Sequence, residues 1–337
     1  MKIESVVFKG DSRKSAHSCI VITIACVLLI TLVSSLATGA TAQGFSSGRA
    51  RFSLEFNGEI TPYRVTGIFV LPGERVRLKP IDPTRRKGRY SLRPGPIDEV
   101  DIQGRTWLLT APEETGLYTV RVVSHSVKDS MMLNIFVMVP YESMEGEYVG
   151  GYRIGDYPAS AVLDGVSYDP PRGFIEVKDS YRHVHLTPHF TLGQFLCKQA
   201  RECTPYVVLS EKLLLKLEFI LERVNELGHR CDTFYIMSGY RTPFYNEAIG
   251  NVEYSRHLWG DASDIFIDYD PADGIMDDLN GDGEIDIDDA MVLYGIIDDL
   301  CGESWFEPFT GGLGKYGPNQ LHGPFVHVDV RGCKARW

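Results

Sequence analysis

Six short runs between residues 50 and 139 limit what this chain can become: "ARFSLEF", "RVTGIFVL", "RVRLKPI", "TWLLTA", "LYTVRVVS" and "MMLNIFVMV". All are rich in β-branched and aromatic residues, which fit a pleated, half-buried surface. Turn signals separate them: Pro72-Gly73, Pro94-Gly95 and Glu114-Thr115-Gly116. About six or seven strands with this punctuation predict a small all-β sandwich, Ig-like in architecture, over residues 43–140. Within it "APEETGLYTVRV" reads as the turn and penultimate strand. These residues suit a structural or positioning unit, and nothing in them specifies wall binding.

The chain has 337 residues, too many for one ordinary domain. Lys2, Lys9, Arg13 and Lys14 precede the apolar run "CIVITIACVLLITLVSSLA", and small residues follow up to Ala40-Thr41-Ala42. A charged start, an apolar stretch and an A-x-A site read as a secretory signal peptide over residues 1–42. The rival reading is an uncleaved signal anchor, because the run is long enough to span a bilayer. Both place the bulk of the chain outside the cytoplasm, in a periplasm or cell envelope, with membrane contact only in the anchored case.

Removing residues 1–42 takes away four Lys/Arg and two Asp/Glu, leaving 30 positive and 43 negative groups and a net charge of −13. That argues against nucleic acid as the main partner. Residues 261–303 carry fifteen acidic side chains and no Lys or Arg, whereas residues 49–129 are basic on balance and include "RRKGR" at 85–89. Most such runs are solvated surface. Five cysteines follow residue 42: Cys197, Cys203, Cys231, Cys301 and Cys333. Disulfides can form outside the cytoplasm, but an odd count leaves at least one thiol over, and the spacing does not set the pairing.

Residues 141–185 form a connector rich in Gly, Tyr, Asp and Pro, its aromatics suited to packing. A second domain, residues 186–337, starts near Leu186. Ser210 stands where it can cap a helix whose apolar positions Leu213, Leu217, Ile220, Leu221, Val224 and Leu227 follow the helical period, with Gly228 as the stop. The strands "TFYIM", "DIFIDY" and "FVHVDV" come later, so the domain reads as α+β.

Two of those strands carry metal-type side chains. His257 and Asp264 flank a short turn containing Gly260 and Ala262, which lets a loop return the imidazole to the start of the strand. Alternation puts Phe325, His327 and Asp329 on one face of the closing strand. His257, Asp264 and His327 therefore read as three Zn2+ ligands, leaving a fourth position for water as in a catalytic site.

Ser255, His257, Gly260, Ala262 and Asp264 match S-x-H-x-x-G-x-A-x-D. The pattern resembles that of the zinc D-alanyl-D-alanine carboxypeptidases, dipeptidases and murein endopeptidases, the LAS-type metallopeptidases. "SGYRTPFYN" and "GPFVHVD" resemble two further segments of that family, the latter closest to its murein endopeptidase branch. The resemblance covers about residues 186–337. It implies a hedgehog/D-Ala-D-Ala peptidase-like fold and His257, Asp264 and His327 as zinc ligands. It also implies Arg241 as the residue that engages a substrate carboxylate or carbonyl, a role suited to a planar guanidinium. The substrate it implies is a peptide bond in a peptidoglycan stem or cross-link. The chain departs from the family at the general base. Some members have a His two residues before the last ligand, others a Glu three before it. Phe325 and Pro324 stand at those places. Asp329 is the first candidate base, with an outer-shell role orienting a ligand imidazole as its rival reading, and His322 is the second. The alternative function is a catalytically inactive zinc- and calcium-binding cell-wall protein of the same fold.

Residues 278–289, "DLNGDGEIDIDD", lie in an acidic insert over 270–300. Asp278, Asn280, Asp282, Glu284, Asp286 and Asp289 occupy positions 1, 3, 5, 7, 9 and 12 of an EF-hand loop, with Gly283 at the sharp turn. Asp at the last place resembles dockerin-type loops. One structural Ca2+ is expected, followed by a helix with Ala290, Leu293, Tyr294 and Ile297 on one face.

Overall fold

The computed structural model describes residues 44–337 except 83–87, 94, 98–99, 164 and 201. The leader expected over residues 1–42, and Arg85, Arg86 and Lys87 of the basic run, lie outside the described residues. No helix among the described residues is long and apolar enough to cross a membrane.

The described residues of the first region form nine strands: β1 (Arg49–Phe56), β2 (Glu59–Tyr63), β3 (Val65–Val70), β4 (Arg75–Ile81), β5 (Tyr90–Arg93), β6 (Val100–Gln103), β7 (Thr106–Thr110), β8 (Gly116–Ser124) and β9 (Asp129–Val137). They make a five-stranded sheet, β2-β1-β4-β7-β6, and a four-stranded sheet, β3-β9-β8-β5. Phe52, Leu54, Leu78, Leu109, Val122 and Ile135 belong to one core enclosed by the two sheets. β3 and β9 pair in parallel and are buried on both faces. Side chains alternate along a strand. Ile68, Val70 and Ile135 therefore face the core between the sheets, while Phe69 and Phe136 join the core of the second domain. This double burial explains the unbroken apolar run "IFV" in each strand.

The second core also takes in the connector. Tyr152, Tyr157, Tyr168 and Phe174 are buried there. Short strands at Val139–Pro140, Gly173–Glu176 and Tyr206–Val207 pair across it. The centre of this core is α1 (Glu211–Glu226), which is buried on most of its circumference. Its polar residues are matched by neighbours. Glu218 accepts from the backbone N and Nδ1 of His189, Glu222 accepts from Arg49, and Lys216 donates to the carbonyl of Asp329 at 2.7 Å. Ser210 sits at the N-cap position without a capping hydrogen bond from its side chain. Leu227, expected on the apolar face, lies just past the helix and is 55% exposed, because Gly228 turns the chain away at a φ of 94°.

Glu211 opens α1, and its Oε1 accepts from Phe69 N at 2.9 Å, across the two domains. Burial pushes its carboxyl up to about 7, against the pull of the Phe69 and Glu211 N–H groups. A carboxyl raised in the folded state contributes stability that is complete below its ordinary value and lost as pH rises through about 7. Glu211→Gln removes this dependence. The variant is expected to match the parent's stability at pH 4 and to exceed it at pH 8, by roughly 3 kcal/mol. Parallel thermal scans at the two pH values check this.

The functional sheet contains β10 (Tyr235–Ser238), β11 (Ala262–Phe266), β12 (Gly312–Tyr316), β13 (Phe325–Asp329) and β14 (Ala335–Arg336), in the order β10-β11-β13-β12-β14. The first four are antiparallel, and β14 runs parallel to β12. Between them come α2 (Pro243–Ala248) and α3 (Ile287–Leu300), and α3 packs on β12, β13 and α1. Its buried face is Ala290, Leu293, Ile296, Ile297 and Leu300, with the expected Tyr294 half-buried beside them.

Candidate metal centre

Asp264 and His327 are direct cross-strand partners on β11 and β13. His257 reaches them from a short 3-10 turn, Arg256–Trp259, which ends at Gly260 in the left-handed region at a φ of 65°. Arg241 N donates to the His257 carbonyl at 3.1 Å, tying this turn to the segment after β10. One ligand atom from each of His257, Asp264 and His327 lies within 4.8 Å of the others, and all three residues are buried. Among the described residues this is the one group of three or more His, Cys, Asp or Glu side chains gathered so closely.

Hydrogen bonds to the far side of each ring set the chemistry. His257 Nδ1 donates to the Gly239 carbonyl at 2.7 Å, which turns Nε2 toward Asp264 at 3.3 Å. His327 Nε2 donates to Asp329 Oδ2 at 3.2 Å, which turns Nδ1 toward Asp264 Oδ1 at 2.8 Å. Two imidazole nitrogens and a carboxylate oxygen thus converge. Two His and one carboxylate form a donor set that suits Zn2+ and leaves room for water. Burial raises the Asp264 carboxyl, but His257 and His327 outweigh it and hold it well below the usual range. Burial, aided by Arg241, lowers His257, whereas Asp264 and Asp329 overcome burial at His327 and raise it.

Arg241 donates from Nη2 to Asp264 Oδ2 at 2.5 Å and from Nε to Ser238 Oγ at 2.7 Å. It lies against the Asp264 carboxylate, and Arg241 lines a cleft of about 250 Å³. His257, Asp264 and His327 line the same cleft, together with Tyr254, Tyr316, Arg331 and Trp337.

Neither candidate base lines it. The Asp329 carboxylate is taken up by Gly312 N at 2.7 Å, Arg331 N at 3.0 Å, the Arg331 guanidinium at 2.5 Å and the His327 ring. Burial would raise it, but His327 and Arg331 hold it far below the usual carboxylate range. A carboxylate so committed is a poor proton acceptor, and its contacts are those of an outer-shell partner that fixes a ligand tautomer. Asp329→Asn is expected to weaken metal binding about 10–100-fold, measured by competition with a chromogenic chelator. His322 is held in its own loop: Asn319 Nδ2 donates to Nε2 and Nδ1 donates to the Gly323 carbonyl, each at 2.7 Å.

Arg331 and Trp337 escape sequence reasoning. The Trp337 ring lies 5.3 Å from that of His327, and any Cβ at Gly314, opposite His327 on β12, collides with the indole. The alternating glycines Gly312 and Gly314 are the signal that something large covers this strand.

The acidic loop differs from expectation in detail. Asp278 accepts from Gly281 N and Gly283 N, and Asp289 accepts from Leu279, Asn280 and Asp286 N. Asn280, Asp282 and Asp286 accept from the N–H two residues on, and Glu284 lies exposed. These side chains accept from the loop's own backbone, and among the described residues no three of its carboxylates are gathered within metal-ligand reach of one another. All five cysteines are free thiols.

No curated protein matches the chain. Among solved structures, the Yersinia pseudotuberculosis adhesin InvE is similar at 19% identity over 29% of this chain, with a TM-score of 0.16. The chain spans 30% of that adhesin chain's length, and so slight a likeness carries no argument. The family model described as Peptidase M15 matches residues 188–276, a segment that holds Arg241, His257 and Asp264 and stops before His327.

Proposed function

We propose that this chain is an exported zinc metallopeptidase that hydrolyses peptide bonds in peptidoglycan stems or cross-links. The observation that carries the proposal is the convergence of His257 Nε2, Asp264 and His327 Nδ1 beside Arg241 in one cleft. The Peptidase M15 match over three of these four residues supports it. An endopeptidase is preferred to a carboxypeptidase because "FVHVD" resembles the murein endopeptidase branch. The two-sheet domain, read as Ig-like, positions the second domain through β3 and β9.

A bound Zn2+ supplies Lewis-acid polarisation of the scissile carbonyl and a more acidic water. His257, Asp264 and His327 would hold the ion, and Gly239 O and Asp329 would keep both rings oriented to ligate it. Arg241 Nη1 binds a substrate carboxylate or the carbonyl oxygen as it gains charge.

One observation favours a second reading, a zinc-holding binding protein without turnover. Among the described residues, no His, Asp or Glu apart from His257, Asp264 and His327 lines the cleft. Incubation of the mature protein with purified peptidoglycan, with and without zinc, separates the readings. New muropeptide masses that need zinc support the peptidase. Retention on the polymer with no new masses supports the binding protein.

We also propose one structural Ca2+ in the loop 278–289, supported by its residue types in EF-hand register and its Gly283 turn at a φ of 88°. A rise in thermal midpoint with calcium is the expected result, and an unchanged midpoint with no bound ion removes the proposal.

A further inference from the structure

The wall of the metal cleft away from Arg241 is aromatic. Arg241 follows β10, on the β11 side of the triad, whereas Tyr316 ends β12, on the far side of β13. In the antiparallel register Gly314 stands opposite His327 and Tyr316 opposite Phe325. Alternation puts Tyr316 on the same face as Phe325 and His327, and all three line the cleft.

Two contacts fix the Tyr316 side chain. Its ring lies flat on that of Phe325, with centroids 4.5 Å apart and planes 9° apart. Its hydroxyl is held by Trp337. The indole fills the place of a Gly314 side chain, with Nε1 2.3 Å from the Cβ position, and from there Nε1 donates to the Tyr316 hydroxyl oxygen at 2.5 Å. The hydroxyl therefore meets an atom that lies over the cross-strand partner of His327. Trp337 is itself anchored by its backbone: its N–H donates to the Leu313 carbonyl at 3.3 Å, and its carbonyl accepts from Lys315 N at 3.2 Å.

An indole N–H can only donate, so the Tyr316 oxygen is the acceptor in this bond and its own hydrogen stays available. The other tyrosine of the cleft differs, because the Tyr254 hydroxyl gives its hydrogen to the Ala159 carbonyl at 3.2 Å. A hydroxyl that accepts one hydrogen bond is polarised to give a stronger one. Tyr316 is 36% exposed, so that hydrogen can turn into the open cleft.

We infer that Tyr316 is a catalytic residue whose hydroxyl donates a hydrogen bond to the scissile carbonyl oxygen as that oxygen gains charge, with Trp337 as its positioning residue. The inference rests on the peptidase reading above and assigns the donor on the side of the triad away from Arg241. Arg241 is then left for a substrate carboxylate. No proton leaves Tyr316 in this role. A donor already fixed by Phe325 and Trp337 needs no reorganisation when the charge develops.

The test sets Tyr316→Phe and Trp337→Phe beside the parent, with zinc content measured on each. Phenylalanine at 316 keeps the ring that stacks on Phe325 and removes the hydroxyl. Three synthetic peptides of one stem sequence carry an amide, a tetrahedral phosphinate or a trans-alkene at the scissile position. The phosphinate presents a charged oxygen, and the alkene has no oxygen there. Tyr316→Phe is expected to keep its zinc, to lower kcat on the amide about 100-fold with little change in KM, and to raise the phosphinate Kd by about the same factor while the alkene Kd stays put. Trp337→Phe is expected to show the same selective loss, about tenfold in size. Unchanged kcat and phosphinate Kd in Tyr316→Phe overturn the inference and leave the peptidase reading intact. Loss of zinc in that variant, or an equal loss of affinity for the alkene, also overturns it, because the side chain is then structural. No turnover of the amide or of purified peptidoglycan by the zinc-loaded parent overturns both.

Discussion

Asp264→Asn is expected to lower peptide hydrolysis by about 10³-fold or more while leaving the chain folded. Asp264 is the hinge of the site: one oxygen faces His257 and His327, and the other accepts from Arg241. An amide keeps the shape of the side chain but turns a donor toward a group that already donates. It also removes the one negative charge that balances a divalent ion in the triad. The loss therefore falls on metal occupancy and on turnover together. Assay against isolated peptidoglycan, with metal content measured on the same sample, checks this. Retained turnover at full metal content would show that Asp264 is not a ligand.

Gly260→Val is expected to destabilise the second domain by roughly 3 kcal/mol or more. A non-glycine residue in the left-handed region costs about 1–2 kcal/mol. The new Cβ also overlaps the Val208 carbonyl and comes within 2.6 Å of Leu209 Cα, both backbone atoms that cannot swing aside. Overpacking of this kind costs a further ~1–3 kcal/mol. The thermal midpoint should fall by roughly 6–12 °C. Because Gly260 N donates to the His257 carbonyl, the same change displaces a ligand, so metal affinity falls with stability. A midpoint within a degree or two of the parent would contradict the close approach to Val208.

What the sequence shows of this fold follows burial. The six runs legible as strands correspond to β1, β3, β4, β7, β8 and β9. The three not foreseen, β2, β5 and β6, all lie at sheet edges. Edge strands bury little: β6 has one half-buried and three exposed residues, and β2 carries Pro62, which an edge tolerates. Apolar alternation cannot mark a strand that faces water on most sides. α1 was legible from its period, but its buried Lys216, Glu218 and Glu222 were not. Their partners Asp329, His189 and Arg49 are distant in sequence and meet them only in three dimensions.

The same distinction holds at the site. His257 and Asp264 are local in sequence, and His327 falls opposite Asp264 once the two strands pair. The Asp329 contacts depend on Gly312 and Arg331, which no spacing rule connects to it. The role of His322 depended on loop geometry, and Asn319 and Gly323 occupy both of its ring nitrogens. The acidic loop shows the converse. Its residue types are in EF-hand register, yet short Asp and Asn side chains bond readily to N–H groups two residues on.

The central claim is that His257, Asp264 and His327 hold one metal ion. Zinc stoichiometry of the protein, measured beside His257→Ala and His327→Ala after dialysis against a weak chelator, tests it most directly. The prediction is one zinc per chain in the parent and near none in either variant, with all three folded by circular dichroism. Equal zinc in parent and variants, or none in the parent at saturating zinc, would contradict it.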